Sequence, residues 1–109
     1  MTATVDLVIA AGSGRAARAV ALGALLRRQR VLIVLGSAEV RTARRLRASL
    51  LDASRADSGL LTVITGAAVV CADGVDGMEA VVIRHLRTGR LSAVNASAFV
   101  EISDEHSGD

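Results

Sequence analysis

Val5–Ala17, VDLVIAAGSGRAA, passes from an apolar run into Gly12, Ser13 and Gly14 and then straight into a run of small residues. Val5–Ala10 is short and almost continuously apolar, the pattern of a central parallel strand covered on both faces. Beyond the glycines, Ala17, Val20, Ala21, Ala24 and Leu25 recur at helical spacing. Arg27, Arg28 and Arg30 close the segment, where cations suit the negative end of a helix. The stretch is therefore predicted to be an inner strand, a tight bend and a helix over 14–28.

Outward from this bend the same rhythm repeats. Val31–Leu35 reads as a second apolar strand. Ser37 as N-cap and Glu39 in a first turn announce a second helix, with Val40, Ala43, Leu46 or Arg47, and Leu50 on one face and Arg41, Arg44, Arg45 and Arg47 on the other. The run 53–59 is small, polar and ends in glycine, a loop signature. Leu60–Thr65 is a third strand, rich in β-branched residues.

From residue 68 the period shortens. Strands are predicted around Cys71, over 79–86, over 91–95 and over 98–102, with turns at Asp73-Gly74, Asp76-Gly77 and Thr88-Gly89. The fold class is α/β: a small, Rossmann-like, three-layer domain in which a parallel βαβαβ sheet is followed by an antiparallel β-meander. One domain spans 1–103, and 104–109 form an acidic tail.

Composition sets the outer limits. A chain of 109 residues, 51% hydrophobic, can bury one core. All thirteen cations are Arg, and Phe99 is the sole aromatic residue. Ten of those Arg fall within 1–55 against Asp6, Glu39 and Asp52, so the first half is basic and the second acidic. Without interleaved aromatic stacking residues, the Arg faces argue for solvated helices and against nucleic acid. Asp6 and the absence of a positive leader argue against a secretory signal, no run approaches the ~20 apolar residues of a membrane span, and the expected compartment is the cytoplasm. Cys71 stands alone, with a buried strand position expected for it, and His85 on the meander's second strand and His106 in the tail lack partners for a metal site or a His-assisted nucleophile.

The segment Gly12-Ser13-Gly14-Arg15-Ala16-Ala17 fits GxGxxA, the Ala-ending form of a dinucleotide-binding fingerprint. In that motif the first glycine permits the turn, the second admits a pyrophosphate to the backbone N–H groups, and the small third residue lets helix and strand pack closely. The alternative is that the glycines serve only a close strand-to-helix turn. An NAD site presents Asp or Glu to the ribose at the end of the second strand; here stand Leu35, Gly36 and Ser37, which disfavours NAD. Arg41, early in the second helix, is a candidate for a 2′-phosphate and so for NADP(H), and Arg15 for the pyrophosphate. The candidate cofactor-binding residues are thus Gly12, Ser13, Gly14, Arg15, Ala17, Ser37 and Arg41, and the chain offers no catalytic or metal set.

Taken together, VDLVIAAGSGRAARA, RVLIVLGSAEVRTARRLR, LTVITGAAVV, VDGMEAVVIRHLRTGR and ASAFVEIS, in this order, resemble the nicotinamide-dinucleotide-binding domain of thioredoxin reductases and related flavoprotein disulfide reductases. The resemblance implies pyrophosphate binding at Gly12, Gly14 and Ala17 and a 2′-phosphate contact at Arg41. The family's His-Arg-Arg stretch falls on Leu35, Gly36 and Ser37, and its redox Cys pair and flavin domain have no counterpart here. The expectation is a catalytically incomplete nucleotide-binding module, or a structural protein that keeps the fold, has lost the cofactor and self-associates or docks with a partner. The mean hydropathy of +0.46 fits such subunit contacts.

Overall fold

A computed structural model describes residues 3–12, 14–36, 40–75 and 77–102. Strand β1 (Ala3–Ala11) leads to helix α1 (Gly14–Leu26), β2 (Val31–Leu35) and α2 (Val40–Ser54). A 3-10 turn at Ser58–Leu60 precedes β3 (Leu61–Thr65), and β4 (Ala67–Val75), β5 (Met78–His85) and β6 (Leu91–Ile102) complete the chain. The strands form one six-stranded sheet in the order β3-β2-β1-β6-β5-β4. β3, β2, β1 and β6 pair in parallel, whereas β6-β5 and β5-β4 are antiparallel.

The sheet folds over on itself. Were it flat, β2 and β4 would lie about 19 Å apart at ~4.8 Å per strand, yet they are in contact. The fold occurs along β6, whose residues Leu91–Ala96 pair with β5 while Val94–Ile102 pair with β1. Three layers result: the helices, the parallel strands, and the meander.

Two cores fill the spaces between them. Leu7, Ile9, Ile33 and Leu35 face α1 and α2 and pack with Leu25, Leu46 and Leu50. Val8, Leu32 and Val34 face the other way and pack with Val81, Ile83 and Val94 of the meander. All five residues of β2 are buried for this reason, each apolar side chain contributing about 1.5–3 kcal/mol on leaving water. Both crossovers step in the same direction along the sheet, so the right-handed rule places both helices on one face.

Local chemistry explains where the elements stop. α1 ends at Leu26 rather than at residue 28 because Arg28 turns into the left-handed region (φ 60°). The Gln29 N–H then bonds the Ala24 carbonyl and the Arg28 N–H bonds the Leu25 carbonyl, a Schellman cap with Arg in the usual glycine position. α2 runs on to Ser54 and shortens the expected loop. Arg47, which the spacing allows on either face, is half-buried and donates to the Ser58 and Leu61 carbonyls at 3.1 and 3.3 Å, stapling α2 to the entry of β3.

Asp73-Gly74 is not a turn: both residues pair with β5, as Asp73 with Ala80 and Gly74 with Glu79. The hairpin bends one step later, at Gly77 (φ 80°). The two strands expected at 91–95 and 98–102 are one, because the polar Asn95–Ser97 segment marks the exchange of neighbours along β6 and not a break. Ser37, Glu39, Asp76, His106 and the tail 104–109 lie outside the described residues, as does Ser13.

Candidate functional site

β1 lies between β2 and β6, and the chain leaves it at Gly12 to enter α1 at Gly14. The expected bend from an inner strand into a helix is thus where the sequence places it. From β1 the chain moves to β2 on one side, while β6 arrives from the other. Ligands of open α/β sheets bind at such a divide, outside the carboxyl ends of the strands.

A concavity of about 170 Å³ opens there. Gly12 and Gly36 follow the ends of β1 and β2, Ala67–Val69 begin β4, and Glu101 and Ile102 end β6; all of them line it. Its walls are glycines, alanines and the larger apolar Val34, Val69 and Ile102, with one charged group among the described residues, Glu101, which stands beside Ala10 in the β1–β6 register and is exposed. Pockets for whole ligands of drug size run to ~300–1,000 Å³, so this space is smaller than such a pocket.

The residues singled out by the sequence have distinct surroundings. Gly12 is exposed at the mouth of the concavity. Gly14 is buried, and a Cβ there would stand 3.2 Å from Leu46 Cδ2, so its small size serves the contact of α1 with α2. Ala17 is wholly buried in the core between helix and sheet, the close-packing place that the motif assigns to its third small residue. Arg41 is exposed in the first turn of α2 and, among the described residues, does not line the concavity. Ser13 and Ser37, both candidates from the sequence, lie outside the described residues.

Arg15 faces elsewhere. With Arg18, Thr42, Arg45 and Ser49 it lines a separate groove of about 380 Å³ between α1 and α2, where Arg18 Nη2 donates to Ser49 Oγ at 3.1 Å. Three Arg residues therefore line this groove together with Gly14 and Leu46, and none of the three lines the concavity at Gly12.

Two further expectations need revision. Cys71 is exposed, not buried, because a bulge between Val69 and Cys71 shifts the alternation of β4 and turns the thiol outward. His85 has a polar neighbour, its Nε2 lying 3.2 Å from Ser92 Oγ on the adjoining strand. Among the described residues no group of three or more His, Cys, Asp or Glu is placed to hold a metal ion, and no helix is long and apolar enough to cross a membrane.

Glu101 is the group that sequence reading missed. An acid was sought at the end of β2, where Leu35 and Gly36 stand. The carboxylate at this edge instead comes from the end of β6, two strands away in the sheet order, and only the strand pairing reveals it.

No family model and no curated protein sequence matches the chain. Solved structures do share its fold. RebC-10x, in native and K252c-bound form, superposes with a TM-score of 0.66 at 14% identity over all of this chain and 34% of its own. The flavin-dependent monooxygenase PieE, in complex with FAD and substrate, gives 0.62 at 14% identity over 88% of this chain and 29% of its own. The myxobacterial chondrochloren halogenase CndH, described as a variant FAD-dependent halogenase, gives 0.62 at 14% over 93% and 37%. The chain thus spans about a third of the length of these structures. At such identities the likeness is one of architecture alone, and none of these structures is a thioredoxin reductase, the family that the sequence resembles.

Proposed function

We propose that the chain is a nucleotide-binding module, catalytically incomplete in itself, that receives the adenosine side of an adenine dinucleotide in the concavity at the strand ends. The observation that carries this reading is the concavity itself, placed at the divide between β2 and β6 and lined by Gly12 and Gly36. In this assignment the backbone around Gly12 meets the pyrophosphate, aided by the roughly half-unit positive charge at the α1 N-terminus. The Glu101 carboxylate accepts hydrogen bonds from ribose hydroxyls, the role an acid at the end of β2 fills in other dinucleotide sites. Arg41 is the sequence's candidate for the 2′-phosphate of NADP(H) but does not line the concavity, an acid at the ribose suits an unphosphorylated one, and the FAD named for PieE and CndH adds FAD to the candidates. When bound, such a cofactor would supply hydride or electron transfer; this chain's residues would bind and orient it. Cys71 is the one cysteine of these 109 residues, so they supply no dithiol acceptor themselves.

The test is thermal stability with FAD, NADPH, NADP, NAD or ADP. A ligand at a hundred times its Kd stabilises by about 2.7 kcal/mol, worth about 10 °C or more in a domain of this size. Glu101→Gln should weaken the response about tenfold and leave the unliganded melting temperature unchanged. No shift with any of these ligands at millimolar concentration overturns the assignment.

A second reading, a structural or interaction protein that keeps the fold without the cofactor, draws on two observations. Gly14 is occupied with Leu46, and the only charged group lining the concavity among the described residues is an anion, which repels phosphate.

A further inference from the structure

The meander turns one face inward, onto the parallel strands, and the other away from them. Val81, Ile83, Val94 and Ala96 point inward and are buried. The alternate residues make the outer face, and strand register sorts them into rows. Cys71, Val82 and Ala93 stand side by side in the middle row. One row to one side are Asp73, Ala80 and Asn95; one row to the other, Arg84 pairs with Leu91. The middle row is apolar, widened by the bulged Val70 at 50% exposure, and Leu91 beside it is 64% exposed. Arg84 and Asp73 are both exposed, and neither has an ion-pair partner among the described residues.

We propose that this outer face is a self-complementary interface for a second copy of the chain. The two copies stack face to face about a two-fold axis that crosses the strands over the Cys71–Val82–Ala93 row. Under this operator the middle row meets itself, apolar on apolar, as an isologous contact requires. The Arg84 row of each copy falls on the Asp73–Ala80 row of the other, so each guanidinium lies beside an opposing carboxylate. The other two-fold available to stacked faces, along β5, sets Arg84 on Arg84 and leaves Asp73 opposite Asn95. Charge therefore selects the first arrangement.

Three strands at ~4.8 Å and three rows at ~6.8 Å outline roughly 300 Å² in projection on each copy, about 600 Å² in all and below the ~1,000 Å² of a stable interface. The dimer is accordingly weak, forming at tens of micromolar or above. The inference stands whether or not the concavity takes a nucleotide.

Cys71 makes the geometry testable. It lies on the axis, so across stacked sheets about 10 Å apart the two thiols face one another within reach of a short bismaleimide. Sedimentation of the full chain from a few micromolar to several hundred micromolar is expected to show a monomer–dimer equilibrium, and the bismaleimide to trap a covalent dimer through Cys71. Asp73→Arg and Arg84→Asp should each weaken association about tenfold, and the two together should restore it. Val82→Asp should abolish it, while Cys71→Ser should remove the cross-link and leave sedimentation unchanged. Circular dichroism checks that each variant is folded; the charge-reversal pair alone suffices should Val82→Asp fail to fold. A monomer throughout, a dimer that does not cross-link at Cys71, or a double reversal that fails to restore association overturns the proposal.

Discussion

Replacing Gly14 with valine separates the two roles its motif position invites. A Cβ at residue 14 would lie 3.2 Å from Leu46 Cδ2 and 3.7 Å from Leu46 Cβ and Cδ1. Alanine needs only a few tenths of an ångström from a flexible side-chain end, and the ~1 kcal/mol by which alanine exceeds glycine in helices offsets that. Gly14→Ala should therefore change stability by less than about 0.5 kcal/mol. Valine brings two methyl groups to a contact that is already closed, and overpacking of this kind costs about 1–3 kcal/mol. Near 2 kcal/mol, the melting temperature falls by about 10 °C. Leu46 is buried at 8% exposure, so Leu46→Ala alone should cost about 2–3 kcal/mol. In the double variant the valine methyls enter the space the leucine leaves, and the two losses should fall short of their sum by about 1 kcal/mol or more. The chain has no Trp or Tyr, so urea unfolding must be followed by far-ultraviolet circular dichroism. A Gly14→Val protein as stable as the parent, or a strictly additive double variant, would refute the packing argument and return Gly14 to the ligand.

Two other substitutions probe the same layers. Arg47→Met removes both carbonyl contacts at the entry to β3 and should lower the unfolding free energy by about 1 kcal/mol, whereas Arg44→Met, on an exposed position, should leave the urea midpoint unchanged. Gly89→Ala forces a side chain into φ 74° at the β5–β6 turn and should cost about 1 kcal/mol, read as a fall of several degrees in the melting temperature.

The parallel half of the fold was legible because its strands are covered on both faces. Val31–Leu35 carries no polar residue to blur its ends, and its observed bounds are those expected. Gly12 and Gly14 marked the bend for the same reason that any strand entering a helix so sharply needs small residues. The meander was harder to read. Its alternation assigns inner and outer faces only while the count by two is unbroken, and the extra residue at Val70 resets that count, which is why Cys71 emerges at the surface. β6 was split because a strand that changes neighbours midway looks, in one dimension, like two strands. Of the candidate site, Gly12 was found and Glu101 was not. A glycine announces itself by composition, whereas a carboxylate at the end of a strand becomes part of a site only through the register that sets it beside Ala10.

That same long strand has a mechanical consequence. Since β6 is zipped to β5 along one half and to β1 along the other, the meander cannot peel off without pulling at the parallel layer. Amides in the shared Val94–Ala96 span are held from both sides and should be among the slowest to exchange with deuterated solvent, opening only when the whole molecule melts.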